Sequence, residues 1–396
     1  MSINTPILRL KKNEERRLLA GHLWVYSNEV DTSVSPLTSF DTGAQVAVHT
    51  SRDQFIAMAY VNPRSLICAR VYSHRRDQAL DVGLLVSRLT AALQWRAQCY
   101  DNDCYRLVHG EGDWLPGLVV DRFGSHLVVQ MNTAGMFQLI EPITEALQQV
   151  VAPQSILLKN SSATLSLEGL DAQTRVLAGE EVESVELQEN GLTYRAPIRS
   201  GQKTGWFYDH RDNRLRLQSY CRGKRVLDAY SYLGGWGINA LAGGADSCVA
   251  IDSSAQALAG AAENARINGF DSSWSGIEGD VSEVLKSLKS ERFDVIVLDP
   301  PAFIQRAKDK RKGLQKYISI NSLAAGLLND GGLLVSGSCS HHLPVDQLQK
   351  AVLQAGKGKN RSVQLVGVGG QAADHPVQAA IPETAYLKCV LSRVVR

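Results

Sequence analysis

The stretch that decides the fold of the C-terminal half is Val226-Leu-Asp-Ala-Tyr-Ser-Tyr-Leu-Gly-Gly-Trp-Gly237. Val226-Leu227-Asp228 reads as a short strand running into a glycine-rich turn. Gly234, Gly235 and Gly237 allow the backbone to approach a ligand closely, and the helix that should follow offers free N–H groups. Outward from this stretch the same pattern repeats. Cys248–Asp252 reads as a second strand, followed by an Ala-rich helix from Ser254 to about Asn268. Phe293–Leu298 is a buried strand ending at Asp299, and Leu333–Ser338 is another, after a helix around Tyr317–Leu328. Repeated strand–helix units with apolar strands predict an α/β fold whose parallel sheet is covered on both faces. Ligands of such sheets sit at the carboxyl ends of the strands.

Those ends carry polar residues in an order that suits a nucleoside cofactor. Asp228 ends the first strand. Asp252 ends the second and can accept hydrogen bonds from ribose hydroxyls. Gly279-Asp280-Val281 follows, where Asp280 could meet an adenine amino group and Val281 its ring. Each of these alone also reads as an ordinary turn. The spacing Gly-x-Gly-x-x-Gly is absent, which weakens a nicotinamide reading. Asp299-Pro300-Pro301-Ala302-Phe303 is more specific, because two prolines fix φ twice, remove two donors and make a rigid lip. Ser338-Cys339-Ser340-His341-His342 follows the last strand and places a thiol beside the same cleft. A buried structural cysteine is the commoner fate, yet carbon methylation of cytosine needs such a nucleophile: thiolate addition at C6 makes C5 enamine-like. His341 and His342 read best as exposed loop residues.

Of 396 residues, 44% are hydrophobic and 21% charged, the balance of a folded multidomain protein. No apolar run approaches the roughly 20 residues of a membrane helix, and Met1–Leu10 lacks a signal core, so a cytoplasmic location is expected. Cys68, Cys99, Cys104, Cys221, Cys248, Cys339 and Cys389 are scattered with no Cys-x-x-Cys pair, so neither disulfides nor a metal site is expected. The net charge of +2 gives no sign of a nucleic-acid partner as one number, but it divides into +3 over residues 1–75, −7 over 76–200 and +6 over 201–396. Arg306, Lys308, Lys310, Arg311, Lys312 and Lys316 cluster directly after the Asp-Pro-Pro lip, where RNA phosphates would lie. Short strands at Gln45–His49, Phe55–Tyr60 and Ile67–Tyr72 predict a small β-barrel-like module. A helix at Val82–Gln98, strands Leu118–Asp121 and His126–Met131, a helix near Met136–Val151 and strands Ser155–Lys159 and Ser184–Gln188 predict a central α+β unit. Expected domains are 1–75, 76–195 and 196–396. Glu111 and Asp113 look like an acid–base pair but read better as a turn.

Several motifs together resemble one family. Gly21-His-Leu-Trp-Val-Tyr-Ser27, His109-Gly-Glu-Gly-Asp-Trp-Leu-Pro-Gly-Leu-Val-Val-Asp121, Gly201-Gln-Lys-Thr-Gly-Trp-Phe-Tyr-Asp-His-Arg211, Ser231-Tyr-Leu-Gly-Gly235, Asp299-Pro-Pro-Ala-Phe303, Ser338-Cys-Ser340, Gln371–Pro376 and Tyr386-Leu-Lys388 are similar to motifs of the RlmI-type 23S ribosomal RNA cytosine-5 methyltransferases. The likeness runs over essentially the whole chain. It implies an N-terminal PUA domain, a central α+β domain and a Rossmann-like methyltransferase sheet. It implies S-adenosylmethionine as methyl donor, 23S rRNA as substrate and 5-methylcytosine as product. Cys339 would be the nucleophile and Asp299 would polarise cytosine at N3. Lys203, Thr204, Asp209, Asp228, Tyr230, Ser231, Asp252 and Asp280, with Gly234, Val281 and Pro300, would lie around the cofactor. Another group of RNA cytosine-5 enzymes carries a second Cys in the Asp-Pro-Pro loop. Pro301 stands there in this chain, so no residue is assigned to remove the C5 proton. The other readings are a guanine-N methyltransferase on rRNA and a non-catalytic rRNA-binding assembly factor; neither has a use for Cys339 as a nucleophile. The substrate is expected to be naked or partly assembled rRNA, since the base must leave its stack. A homodimer is an expectation from architecture alone.

Overall fold

The computed structural model describes residues 5–161 and 165–396, so the start of the Met1–Leu10 run lies outside the described residues. Contacts divide the chain into two compact units. The first holds residues 1–185, 197–206 and 373–384; the second holds 186–196, 207–372 and 385–396.

The first unit contains two five-stranded sheets. One runs in the order Ile7–Arg9, Gln45–His49, Phe55–Val61, Ile67–Ser73, Trp24–Tyr26. The other runs Gln173–Gly179, Ser155–Asn160, His126–Met131, Leu118–Phe123, Cys104–His109. Helix Val82–Cys99 starts where Asp81 accepts the Leu84 N–H at 2.9 Å, a side-chain cap. Its Leu85, Leu89 and Ala92 join Leu107, Leu118 and Met131 in a core that also takes Tyr60 and Tyr72 from the N-terminal sheet. The two sheets are therefore welded by shared apolar burial. Polar bonds fix the register of the weld. Tyr60 donates to the Pro116 carbonyl at 2.6 Å, while buried Glu168 accepts from Asn62 at 2.8 Å and from Ser65 and Arg70 at 3.0 Å.

Two expectations change here. The helix expected near Met136–Val151 is broken at Leu139 into Ala134–Gln138 and Ile140–Val151. The strand expected at Ser184–Gln188 forms at Val185–Glu189 but pairs with Leu192–Ala196 in a separate two-stranded sheet. Glu111 and Asp113 serve the structure: Trp24 Nε1 donates to Glu111 at 2.8 Å, and fully buried Arg96 donates to both Asp113 oxygens at 2.5 and 2.8 Å. Arg96 also donates to the Asp374 carbonyl at 2.7 Å, and the Asp374 carboxylate accepts the Arg106 N–H at 2.9 Å and lies 2.7 Å from His375 Nδ1.

The second unit is built on seven strands: β1 (Arg225–Ala229), β2 (Ser247–Asp252), β3 (Trp274–Glu278), β4 (Phe293–Leu298), β5 (Leu328–Ser338), β6 (Ser362–Gly369) and β7 (Lys388–Val395). Their order is β3-β2-β1-β4-β5-β7-β6. Strands β3, β2, β1, β4 and β5 are parallel, as expected, whereas β7 runs antiparallel to both its neighbours. Alternate residues of each strand enter opposite cores. Leu227, Ile296 and Leu298 face one, and Val226, Val295 and Val297 face the other. Helices α1 (Gly235–Ala242), α2 (Ala255–Ile267), α3 (Val281–Ser287), α4 (Lys310–Leu327) and α5 (Val345–Lys357) accompany the sheet. Among the described residues no helix is long and apolar enough to cross a membrane.

A Cβ on Gly237 would stand 2.5 Å from Cys248 Sγ and 3.1 Å from Asp228 Oδ2. In an open helix Gly→Ala would gain about 1 kcal/mol, but overpacking a closed core costs about 1–3 kcal/mol. Gly237→Ala should therefore lower stability in urea unfolding.

Candidate active site

The carboxyl ends of β1, β2, β4 and β5 gather most of the residues singled out in the sequence. After β1 the backbone turns through Tyr230 (φ 66°), Tyr232 (φ 47°) and Gly234 (φ 80°) before α1 begins. Left-handed φ at a bulky non-glycine residue costs on the order of 1–3 kcal/mol and persists only when the surroundings enforce it. Here they do. Tyr230 and Ser231 both donate to the Ile251 carbonyl, at 2.9 and 3.1 Å, and Tyr232 N–H donates to Asp252 Oδ2 at 2.9 Å.

Asp228 is fully buried beneath this turn. Its Oδ2 accepts the Gly237 N–H at 2.8 Å, while Oδ1 has no hydrogen-bond partner among the described residues. Burial pushes its pKa up to about 7, with the charges of Asp299 and Asp252 adding to the shift and the Gly237 bond opposing it. Ser231 Oγ is likewise buried without a partner. A carboxylate oxygen and a hydroxyl left unmatched in a turn are what the amino-acid end of S-adenosylmethionine, an ammonium beside a carboxylate, can satisfy. Asp252 lies at the end of β2, half-buried, with its other oxygen accepting Ser254 N–H at 2.9 Å. Asp280 is exposed and caps α3 by accepting Glu283 N–H at 3.1 Å. Val281 is buried in the core with Leu227 and Ile251, so its side chain lies under the strand ends.

Asp299 is one-quarter exposed and held from two sides. Trp236 Nε1 donates to Oδ2 at 3.0 Å, and His210 Nε2 lies 3.3 Å from Oδ1. Burial alone would raise its pKa; His210 and the Trp236 bond outweigh that and leave it below the ordinary carboxylate value. Gly337, on the neighbouring strand, leaves room for this carboxylate: a Cβ there would meet Oδ1 at 3.0 Å. Pro300 is buried, Phe303 sits 4.8 Å from the Tyr317 ring, and Ile304 N–H donates to Ser340 Oγ at 3.2 Å. The lip and the Cys339 turn are thus tied to each other. Cys339 is partly exposed. Tyr317 from α4 binds Ser338 Oγ at 2.8 Å and Ser340 Oγ at 3.0 Å, bracketing the cysteine. Asp209 is buried and accepts from the Tyr386 hydroxyl at 2.7 Å.

Arg306, Lys308, Arg311, Lys312 and Lys316 are exposed and Lys310 is half-buried. The run forms a short turn leading into the first half of α4, which starts at Lys310 and not near Tyr317. Lys316 Nζ stands 5.6 Å over the Phe303 ring, a cation–π contact at the lip. His341 and His342 are exposed, in keeping with loop positions. Lys203 and Thr204 belong to the first unit. There Lys203 is exposed with φ 48°, and Thr204 is buried. Their loop is held by buried Lys159, which donates to the carbonyls of Ile198 and Gly201 at 2.7 and 2.6 Å. Burial brings the Lys159 pKa down to about 8. His210, Trp236, Tyr317 and Lys388 are the site neighbours that sequence reasoning gave no role.

A largely parallel sheet with acidic strand ends around a glycine turn is the arrangement in which doubly wound folds bind nucleoside cofactors, and the comparisons fit it. Residues 105–354 match the S-adenosylmethionine-dependent methyltransferase family, and residues 8–74 match a PUA-like domain. A structure from Streptococcus mutans assigned to the SAM-dependent methyltransferases superposes with a TM-score of 0.83 at 21% identity, covering 98% of this chain and all of that one. A second such structure, complexed with SAH, gives 0.84 at 20% identity. Ribosomal RNA large subunit methyltransferase I of Yersinia pestis bv. Antiqua (strain Angola) is 35% identical over 398 residues, covering 99% of this chain and 100% of that protein. The same protein of Yersinia pseudotuberculosis serotype O:3 is equally similar. The chain is an S-adenosylmethionine-dependent methyltransferase, and it belongs to the ribosomal RNA large subunit methyltransferase I family.

With the Asp228 pKa raised to about 7, a cofactor ammonium held there would lose its charged partner as pH falls through that value. S-adenosylmethionine affinity measured by calorimetry should weaken by at most about tenfold from about pH 8 to about pH 6. Asp228→Asn should flatten that dependence and leave binding weak throughout.

Proposed function

We propose that the protein methylates C5 of a cytosine in 23S ribosomal RNA through a covalent adduct on Cys339. The observation that carries this reading is the pairing of a partly exposed thiol with the Asp299 lip at adjacent strand ends, Leu298 and Ser336 being register partners. Nitrogen methylation has no use for the thiol. The full-length likeness to ribosomal RNA large subunit methyltransferase I points to the RNA class.

In this mechanism the target base leaves its stack and enters beside the lip, at a cost of roughly a few kcal/mol. The Cys339 thiolate adds to C6, forming an S–C6 bond and moving the C5–C6 electron pair toward C5 and N3. Asp299 is ionised at rest, so it receives the exocyclic amino group of cytosine. Its acid role toward N3 needs a proton, and His210 at 3.3 Å is the neighbouring source. S-adenosylmethionine, when bound, supplies an electrophilic methyl group to C5. A base then takes the C5 proton, and the electrons of that bond re-form C5=C6 as the thiolate leaves. Asp228, Ser231 and Asp252 would hold the cofactor, together with Asp209, Tyr230, Gly234, Asp280 and Pro300 of the same unit.

Cys339→Ala should reduce methylation by at least about 10³-fold, the scale expected when a nucleophile is removed, with S-adenosylmethionine affinity retained. RNA carrying 5-fluorocytosine should trap a covalent complex with the wild type and none with the variant. Methylation by Cys339→Ala at the normal rate would sink the covalent mechanism. Bisulfite sequencing of rRNA from a deletion strain would identify the nucleotide.

The exposed basic residues at the start of α4 should contact phosphates. The combined change Lys308→Ala, Arg311→Ala and Lys312→Ala should weaken rRNA binding and make the slope of log affinity against log salt shallower by up to about three. An unchanged slope would place the RNA elsewhere.

A further inference from the structure

Lys388 opens β7, and the antiparallel register sets it opposite Ser338, the last residue of β5 before Cys339. Cross-strand partners project to the same face of a sheet. Lys388 therefore shares a face with Ser338, whose hydroxyl is bound by Tyr317. The lysine is only 8% exposed. Its Nζ donates to two carbonyls, Ser340 and Tyr386, each at 2.9 Å. An ammonium has three donors, and carbonyls at two of them leave the third without an acceptor among the described residues.

A lysine could hold two carbonyls for structural reasons alone. Its placement argues for more. One of those carbonyls belongs to the residue after Cys339, so the same bond that anchors the turn fixes a positive charge next to the thiol. Cys339 interacts electrostatically with the Lys388 ammonium from β7 and the Tyr317 phenol from α4, and His341 lies two residues on in the same turn. Asp299 lies on the neighbouring strand end. Lys388 supplies the ammonium of this set. Burial lowers the pKa of Lys388, and negative charge on Cys339 works in the opposite direction, so the two groups sense each other's ionisation.

We propose that Lys388 is the positioning residue that prepares the nucleophile: fixed by the Ser340 and Tyr386 carbonyls, its ammonium holds the Cys339 turn and stabilises the thiolate. A neighbouring ammonium is among the settings that bring a cysteine below its ordinary value of about 8.5. This rests on Cys339 being the nucleophile, but its test does not need turnover.

The experiment is the pH dependence of iodoacetamide alkylation at Cys339, followed by peptide mass spectrometry on the full-length protein without RNA. In the wild type the thiol should titrate below about 8.5. In Lys388→Met its inflection should rise by about one unit, and alkylation near neutral pH should slow by roughly tenfold. Lys388→Arg, which keeps the charge, should recover most of the rate. Calorimetry with S-adenosylmethionine checks that each variant is folded. A wild-type thiol titrating at or above about 8.5 overturns the proposal whatever the variants do. So does a Lys388→Met profile superposing on wild type, or a folded Lys388→Arg no faster than Lys388→Met. Failure of the nucleophile reading would appear elsewhere, as methylation surviving in Cys339→Ala.

Discussion

The hydrogen bond from Gly237 N–H to buried Asp228 is the constraint from which the catalytic half is built. It draws the start of α1 down onto the end of β1, and only a residue without Cβ fits between Asp228 and Cys248. The chain between must then turn in left-handed steps at Tyr230, Tyr232 and Gly234, and this opens the loop that a cofactor can enter. The same turn sets Trp236 at the first turn of α1, where its indole reaches Asp299 on the far side of the sheet order from β2. One desolvated carboxylate thereby aligns the cofactor loop with the lip that should hold a base.

Much of this was legible in the sequence because both faces of the sheet are buried. Stretches such as Val295–Leu298 read as unbroken apolar runs, and the polar residues that follow them stand out. What escaped has physical reasons. Strands β3 and β6 lie at the two edges of the sheet and carry mixed, largely exposed residues, so no apolar run announces them. The antiparallel direction of β7 depends on the path of the chain after α5, which no local pattern encodes. His210 sits beside an aspartate 89 positions away, and Lys388 meets the Ser340 carbonyl, 48 positions away, only through strand register. The helix expected around Tyr317–Leu328 begins earlier, at Lys310; charge dominates its first turns and hides the helical period. Buried Gly313, Tyr317 and Ile320 bind it to the sheet as a helix.

Charge distribution also acquires a structural meaning. The −7 carried by residues 76–200 suggests a surface hostile to RNA. Asp113 and Asp121 pair with arginines of the same segment and already cancel in that sum, whereas the buried pair of Glu168 with Arg70 takes a charge out of it. Asp113 neutralises Arg96, Asp121 takes Arg106 at 2.6 and 2.9 Å, and Glu168 takes Arg70 at 3.0 Å. Such buried pairs leave little outward field, since each charge is matched within hydrogen-bond distance. The exposed lysines and arginines of α4 have no such partners built into a core. Local potential, not the total, is what a phosphate would meet.

The chain leaves its first compact unit after residue 185, returns for residues 197–206, and returns once more for 373–384. Asp374, which with His375 completes the buried network of Arg96 and Asp113, follows Arg96 by 278 positions and so is translated well after it. Domains usually mature in the order in which they are translated. This one cannot: its first unit stays unfinished, with buried charge incompletely matched, until Asp374 has been made. A chain cut anywhere before Asp374 would forfeit the integrity of the far earlier segment around Arg96 and Arg106.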